Sequence, residues 1–286
     1  MKAGRESRTA VMVCAARAAA QGRTTVAEFD DPTAMALLPE DAREKVGRLR
    51  AAGRDGKAGI REAAAATRRE MAVVRTVAID RAVRETAAPQ LVILGAGLDG
   101  RAWRMKELAG TTVFEVDHPD SQAAKRARTA ALTPTAREIR FVAVDFTRDS
   151  LEEKLAKAGH DPELPTIWIW EGVVMYLSRA AIEATLAVVG RRSAAGSRLA
   201  VLYNAPAPLL TLAGWFLRFL GEPLRSAFDA AQMKALLAAH GFAVTRDGSL
   251  PEIAAGLSAE TAHAVRALRH LRIAVADRTD GAERPA

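Results

Sequence analysis

The sequence predicts a doubly wound α/β fold, in which a Rossmann-like parallel sheet carries helices on both faces. Residues 90–94 form a short, continuously apolar run, which is typical of a strand buried on both faces. Four similar runs follow, and a stretch of helical pattern separates each from the next. This alternation of strand and helix predicts a parallel sheet with crossover helices.

The elements of the sheet follow in chain order from the spacing of apolar residues. The later strand runs are residues 112–116, 140–145, 166–170 and 198–203, and the intervening helices are residues 101–108, 120–131, 149–158 and 179–191. An apolar insert at residues 206–228 contains Trp215, Phe216 and Phe219, and it is predicted either to form a lid or to pack on the sheet. A helix at 230–240, a strand at 241–245, a further helix and a strand at 272–276 complete seven strands.

A helical cover is predicted ahead of the sheet. Met71, Val74 and Ala78 recur at the spacing of one buried face of a helix that spans residues 61–85. The predicted organisation is a helical cover over residues 1–89, a core over 90–278 that carries the insert, and a polar tail over 279–286.

Composition argues against several classes of protein. The 286 residues carry 41 basic and 34 acidic side chains, a formal net charge of +7, and 33 of the basic residues are arginine. Because acidic residues interleave with the arginines, codon bias explains this charge better than nucleic-acid binding, and no nucleic-acid partner is predicted. The single cysteine, Cys14, excludes a disulfide framework and a cysteine-based zinc site. The five histidines lack metal-ligand spacing, so no metal is predicted.

The sequence contains no signal that predicts export or membrane insertion. Its start is charged and lacks the apolar core and cleavage site of a signal peptide. The most apolar later stretch, residues 206–220, contains Arg218 and is shorter than the roughly 20 residues that a membrane span needs. We therefore expect a cytoplasmic protein.

The first two strands are predicted to end in residues suited to a nucleoside. Gly95 and Gly97 belong to a G-x-G-x-x-G turn, where glycine allows a tight turn and a close approach of ligand to main chain. Asp117 ends the second strand, 20 residues beyond Gly97, where a carboxylate accepts hydrogen bonds from both hydroxyls of a ribose. The alternatives are a plain tight turn at the glycines and a helix cap at Asp117.

The third and fourth strands also end in acidic residues. Asp145 and Phe146 offer an acceptor for an adenine amino group and an apolar face for its ring, and a simple turn aspartate is the alternative. Glu171 follows the fourth strand, at the edge where ligands bind in this architecture. Because an uncompensated buried carboxylate is costly, Glu171 is predicted to face a cation, for which an ammonium group of the ligand would serve.

These residues alone do not distinguish a dinucleotide from S-adenosyl-L-methionine. A short-chain dehydrogenase needs a Tyr-x-x-x-Lys pair, but Ala180 and Ala207 occupy the lysine positions after Tyr176 and Tyr203. The sequence also lacks a P-loop and a Gly-x-Ser-x-Gly nucleophile turn, which argues against a nucleotide hydrolase and a serine hydrolase of those types.

Several segments taken together resemble the leucine carboxyl methyltransferase family, in its bacterial branch of S-adenosyl-L-methionine-dependent methyltransferases, which includes polyketide O-methyltransferases. The matching segments are Arg75-Thr76 with Asp80, LVILGAGLDGRAWRM (91–105), FEVDHP (114–119) with Lys125, VAVDF (142–146), PTIWIWEGVVMYL (165–177), GEP (221–223) and HGF (240–242). Their order and spacing are more specific than any single motif, and the resemblance covers roughly residues 10–278. Gly100 and Met105 depart mildly from the threonine and leucine common in the family.

The resemblance implies the seven-stranded class I methyltransferase sheet and a role for each matching position. Arg75 would bind the carboxylate of S-adenosyl-L-methionine, and Glu171 would bind its ammonium group. Gly95 and Gly97 would pass beneath its methionine part. Asp117 would bind the ribose, and Asp145 and Phe146 would lie on either side of the adenine. Arg17 is a further basic candidate near the cofactor.

The implied function is S-adenosyl-L-methionine-dependent O-methylation of a carboxylate or hydroxyl on a small molecule, with secondary metabolism as one setting. Tyr176, Tyr203 and His118 are candidate polar groups facing the acceptor; each has a structural alternative and none is assigned as the base. The competing functions are an NAD(P)-dependent oxidoreductase and a non-catalytic nucleoside-binding or basic scaffold protein. The sequence does not determine the methyl acceptor or the oligomeric state.

Overall fold

A seven-stranded sheet forms the centre of the computed structural model, which describes residues 7–51, 60–145, 148–207 and 224–279. Its strands are β1 (Gln90–Leu94), β2 (Thr112–Asp117), β3 (Glu138–Ala143), β4 (Thr166–Trp170), β5 (Arg198–Asn204), β6 (Phe242–Ser249) and β7 (Leu271–Arg278). Their spatial order is β3-β2-β1-β4-β5-β7-β6. The predicted seven-stranded, doubly wound fold is therefore confirmed.

The strands run parallel except for β7, which pairs antiparallel with both β5 and β6. Strands β1 and β4 are buried at every residue, as their unbroken apolar sequences predict. Because the order reverses between β1 and β4, a crevice opens there at the carboxyl edge of the sheet, and this is where ligands bind in such folds.

Eleven α-helices occur in the described part of the chain. They are α1 (Arg8–Ala20), α2 (Ala34–Leu37), α3 (Glu40–Ala51), α4 (Ile60–Arg84), α5 (Arg101–Arg104), α6 (Pro119–Thr129), α7 (Leu151–Lys157), α8 (Arg179–Arg191), α9 (Ala230–Ala239), α10 (Leu250–Ala255) and α11 (Ala259–Val265). Short 3₁₀ turns lie at Lys106–Leu108 and Val174–Tyr176. None of the helices described is long and apolar enough to cross a membrane.

The sheet separates two layers of apolar side chains. On one face, Phe114 and Trp168 belong to a core that also contains residues of α7, α8 and α9. On the other face, Leu91 and Ile93 pack with Ile79 of α4 and with the segment after β1. Both faces are therefore covered, as a parallel sheet requires.

Helix α4 is buried on more than the single face that its spacing predicts. Ile79 faces the sheet, Val74 packs with residues of α10 and α11, and Val73 and Val77 pack with Val26 and its neighbours in the cover. Since α4 lies between the sheet and the rest of the cover, charged residues on this helix are placed in the interior next to the carboxyl edge.

Most of the predicted insert lies outside the described residues. Residues 208–223, which include Trp215, Phe216 and Phe219, are not described, and the same holds for Phe146 and for residues 280–286 of the tail. The lid, the domain boundaries and the frayed tail therefore stay predictions.

Candidate functional site

The turn after β1 needs glycine at two positions. Gly95 and Gly97 have φ angles of +71° and +44°, in the left-handed region that side chains disfavour. A Cβ on Gly95 would collide with the side chain of Val173, and one on Gly97 would lie 3.1 Å from the Cβ of Ala10. The turn is thus held between the segment after β4 and helix α1 of the cover.

Asp117 joins the end of β2 to this turn. Its Oδ2 accepts a hydrogen bond from the backbone N–H of Gly97, and its Oδ1 accepts one from the N–H of His118 at 2.6 Å. Burial raises the pKa of Asp117, and these two N–H groups oppose that shift. The carboxylate is therefore fixed at the carboxyl edge, beside the glycine turn.

Glu171 meets two arginines, one at each carboxylate oxygen. Oε1 lies 3.1 Å from Nη2 of Arg75, and Oε2 lies 3.2 Å from Nη1 of Arg101. Gly172, with a φ of +74°, leaves room for Arg75, because a Cβ there would lie 3.2 Å from its Nη2. The predicted cationic environment of Glu171 is present, but protein side chains provide it.

Arg101 is the central member of a buried ionic network that the sequence analysis did not identify. Its guanidinium is fully buried, and it binds Asp80 at 2.8 Å and also Asp99. Arg104 contacts the same Asp80 at 2.7 Å. Burial disfavours both charged carboxylates, but the adjacent arginines prevail and lower the pKa of Asp80, while Arg101, Lys125 and Arg17 lower that of Asp99 to about 2.

The network continues into the cover. Asp31 lies 3.8 Å from Arg104 and 3.3 Å from Arg17, and an Nη2 group of Arg17 donates to the carbonyl oxygen of Leu98 in the glycine turn. Apart from the more exposed Arg84, which lies 4.0 Å from Asp80, the network holds four cations and four anions: Arg17, Arg75, Arg101, Arg104, Asp31, Asp80, Asp99 and Glu171. This ionic network balances its own charge and links the turn, the end of β4 and helix α1.

A clue to this network was present in the sequence. Asp80 is a lone acidic residue on the apolar stretch of α4, and Asp99 and Arg101 lie in the segment that carries the family resemblance. Charges in apolar surroundings predict paired, buried groups. Their partners could not be identified, because Asp80 and Glu171 lie 21 and 70 residues from Arg101.

Asp145 lies at the edge of the same crevice. The N–H of Val144 donates to the carbonyl oxygen of Asp117 at 2.9 Å, which brings the end of β3 beside the end of β2. The N–H of Asp145 donates to Oδ2 of Asp149 at 3.0 Å, and its half-buried side chain lies 3.9 Å from Nε of Arg148. The predicted partner Phe146 is outside the described residues.

The three candidate acceptor-facing residues have different surroundings. His118 caps α6, where its Nδ1 accepts from the N–H of Asp120 at 3.3 Å. Tyr176 is half-buried and packs against a cluster that contains Val74 and Leu202. Tyr203 is fully buried, and its hydroxyl donates a hydrogen bond to Oδ2 of Asp247 at 2.6 Å. Burial and this neighbouring carboxylate raise the pKa of Tyr203.

A second group of buried charges, the pair of Glu115 and Lys125, lies near the site. Glu115, two residues before Asp117 on β2, pairs with Nζ of Lys125 at 2.7 Å, and burial raises the pKa of Glu115 to about 7 in spite of this lysine. Among the described residues, no three His, Cys, Asp or Glu side chains are grouped so that they could hold a metal ion.

The comparison with protein families agrees with this arrangement. Residues 10–190 match the model of the family described as leucine carboxyl methyltransferase. The chain belongs to this family. The match includes most of α1, the glycine turn, Asp117 and Glu171, so the resemblance seen in the sequence motifs is confirmed.

Relatives and solved structures extend the comparison. A Streptomyces coelicolor protein, whose name proposes S-adenosyl-L-methionine-dependent methyltransferase activity, is 42% identical over 47% of this chain and 50% of its own length. A Mycolicibacterium smegmatis protein with the same kind of name is 41% identical over 68% of this chain and 65% of its own. The matches thus span half to two thirds of these relatives.

Two solved structures resemble the fold at low sequence identity. A DUF574 family protein from Streptomyces avermitilis is similar with a TM-score of 0.60 and 14% identity, over 96% of this chain and 99% of the other. A geranyl diphosphate C-methyltransferase from Streptomyces coelicolor, solved with S-adenosyl-L-homocysteine, is similar with a TM-score of 0.51 and 13% identity. This match covers 80% of this chain and 88% of the other. At these identities the likeness concerns the fold alone.

Proposed function

We propose that this family member is an S-adenosyl-L-methionine-dependent O-methyltransferase that acts on a carboxylate or hydroxyl of a small molecule. The observation that carries the proposal is the Arg75–Glu171 pair beside the glycine turn and Asp117. A positive and a negative group, close together at the end of β4, match the two charges of a free amino-acid end. The names of the relatives support the same cofactor.

The residues of the crevice fit this cofactor part by part. Arg75 would pair with its carboxylate, since guanidinium is the natural bidentate partner of that group, and Glu171 would pair with its ammonium. At Gly95 and Gly97, whose φ angles are positive, the main chain of the turn would pass beneath the methionine part of the cofactor. Asp117 keeps lone pairs for ribose hydroxyls, and Asp145 and Phe146 would frame the adenine.

For methyl transfer, the main task of the protein is to position the cofactor and the acceptor. When bound, the cofactor supplies an electrophilic methyl group on a sulfonium. The ionic network fixes the amino-acid end, Asp117 fixes the ribose, and helix α1 covers the turn at Ala10, so water is excluded from that side. A metal or a covalent nucleophile on the protein is not required.

The choice of base depends on the acceptor. A carboxylate is already ionised at neutral pH and needs no base, whereas a hydroxyl benefits from one. Tyr203 is poorly suited, because its hydroxyl donates to Asp247 and its pKa is raised. Tyr176 and His118 remain the candidates of this proposal, with residues 206–228 as the segment that selects the acceptor.

Transfer of a labelled methyl group tests this proposal. The chain would be incubated with methyl-labelled cofactor and a small-molecule extract of Streptomyces coelicolor, the source of one relative, and the products would be analysed by mass. We expect one product in which a single labelled methyl group replaces a hydrogen, as an ester that mild base cleaves if the acceptor is a carboxylate and as a stable ether if it is a hydroxyl. Label on carbon or nitrogen would contradict O-methylation, and oxidation coupled to NAD(P) reduction would support the oxidoreductase instead.

A further inference from the structure

The two arginines that contact Glu171 differ in their freedom to move. In the part of the chain that the structure describes, Arg75 forms an ion pair with Glu171 alone, and its side chain is 8% exposed. Arg101 is 0% exposed and is held by Asp80 through Nε and by Asp99 through Nη1. Arg75 is therefore the arginine that can turn toward a ligand, and Arg101 is fixed in place.

Binding of a zwitterion changes the partners of Glu171, if the proposed function holds. Arg75 would leave Oε1 of Glu171 in order to pair with the cofactor carboxylate, and the ammonium would take its place. During this exchange Arg101, 3.2 Å from Oε2, is the one protein cation among the described residues that remains on Glu171. Without it, Glu171 would be a partly buried charge that is free to rotate away.

The position of Arg101 is set by the rest of the network. Asp80 accepts hydrogen bonds from Arg101 at 2.8 Å and from Arg104 at 2.7 and 2.9 Å. Because both oxygens of Asp80 are bonded, its carboxylate group is held in one orientation. Through its backbone N–H, Arg101 also donates to Oδ1 of Asp99 at 2.8 Å. Four hydrogen bonds or ion pairs to three carboxylates thus fix the position of Arg101, whose guanidinium faces Glu171.

We propose that Arg101 is a positioning residue for the amino-acid end of the cofactor. It holds Glu171 in the orientation that receives the ammonium group while Arg75 exchanges Glu171 for the cofactor carboxylate. Asp80 and Asp99 act one step further away, by holding Arg101. The inference rests on the proposed function and deepens it, because it assigns recognition of the zwitterion to a residue that does not itself touch the cofactor.

Two ligands separate positioning from a general structural role. S-adenosyl-L-homocysteine carries the amino-acid end, and 5′-methylthioadenosine has the same nucleoside and thioether without it. Binding of both would be measured by isothermal titration calorimetry on the wild type, Arg101→Lys and Asp80→Asn. Lysine keeps the charge of Arg101 but cannot reach Asp80, Asp99 and Glu171 together.

In both variants we expect S-adenosyl-L-homocysteine to bind about tenfold or more weakly, as the loss of a charged hydrogen bond implies, and 5′-methylthioadenosine to bind within about twofold of wild type. Arg192→Lys is a matched control, since Arg192 is also buried but bonds to His160 near the opposite edge of the sheet. It should change neither affinity by more than about twofold.

Other results would overturn the inference in distinguishable ways. If the affinities for both ligands fall equally, Arg101 only maintains the fold. If the affinity for S-adenosyl-L-homocysteine is unchanged in both variants, Arg101 does not position Glu171. If Arg101→Lys does not fold, as judged by circular dichroism, the isosteric Asp80→Asn decides between these outcomes. A wild-type chain that binds neither ligand would instead refute the proposed function, and the inference with it.

Discussion

At Gly95, backbone conformation and packing both restrict the sequence. A side chain there would meet both an unfavourable φ of +71° and the side chain of Val173. We predict that Gly95→Ala lowers the free energy of unfolding by about 2–4 kcal/mol, since left-handed strain and overpacking add. Chemical denaturation monitored by circular dichroism would measure this loss.

Two other glycines separate the causes of that loss. Gly22 has the same φ of +71° with open space around it, so Gly22→Ala should cost only about 1–2 kcal/mol of strain. Gly110 lies in open space without a positive φ, and Gly110→Ala should be within about 1 kcal/mol of wild type. If Gly95→Ala costs no more than Gly22→Ala, the contact with Val173 does not constrain the turn.

At the same scale, sequence patterns predicted residue types better than partners. Gly97 and Asp117 were predicted as site residues, and the structure joins them through a hydrogen bond that no pattern specifies. Glu171 was predicted to need a cation, and its contact with Arg75 and Arg101 depends on folding α4 and the β1 turn onto the end of β4. Such long-range partners carry no local signal in the sequence.

Helix α1 connects the cover to the glycine turn. Its Arg17 is buried, lies 3.3 Å from Asp31 and donates to Leu98 in the glycine turn. We predict that Arg17→Met lowers the free energy of unfolding by about 3 kcal/mol or more, because the more distant Arg104 would be the one cation left beside Asp31 among the described residues. Denaturant unfolding would measure the change.

Hydrogen exchange distinguishes a local effect of that substitution from a global one. In Arg17→Met, amides of α1 and of residues 95–100 should exchange faster together, since Arg17 links the two segments. Arg48→Met is the control: this arginine is 72% exposed in an i,i+4 pair with Glu44, and its loss should cost less than about 1 kcal/mol. Faster exchange confined to α1 would show that the turn does not depend on the cover.

Elements were predicted well where burial is continuous and poorly where direction or termination matters. All seven predicted strands occur. The central strands β1 and β4 are buried at every residue and have the apolar sequences typical of that position, whereas the edge strands β3 and β6 are buried only in part. The antiparallel direction of β7 was not predicted, since an apolar run looks the same in either direction. The predicted helix at 101–108 is divided, because Met105 takes an extended conformation (φ −92°, ψ 106°) between α5 and a 3₁₀ turn.

At the scale of the whole molecule, the buried ionic network makes stability sensitive to acid. Asp99 has its pKa lowered to about 2 from an ordinary value of 3.8. A lowered pKa in the folded state means that the unfolded chain binds the proton first, so this stability is present above about pH 4 and is lost as the pH falls toward 2. A shift of this size corresponds to about 2 kcal/mol.

The variant Asp99→Asn tests that acid dependence. It should be less stable than wild type at pH 7, and the difference should narrow between pH 4 and pH 2, since only the wild type loses the charged form of Asp99. Unfolding free energies at several pH values would measure this. A difference that stays constant down to pH 2 would show that the charge of Asp99 does not contribute.

The proposed function requires that the carboxyl edge bind S-adenosyl-L-methionine through Asp117 and the Arg75–Glu171 pair. This binding would be measured by calorimetric titration of the purified chain with S-adenosyl-L-homocysteine, beside Asp117→Asn and the control Glu138→Gln on the outer strand β3. We expect one ligand per chain, affinity lowered about tenfold or more in Asp117→Asn, and no change in Glu138→Gln. Absence of binding at millimolar ligand, or equal affinity in Asp117→Asn and wild type, would contradict the proposal.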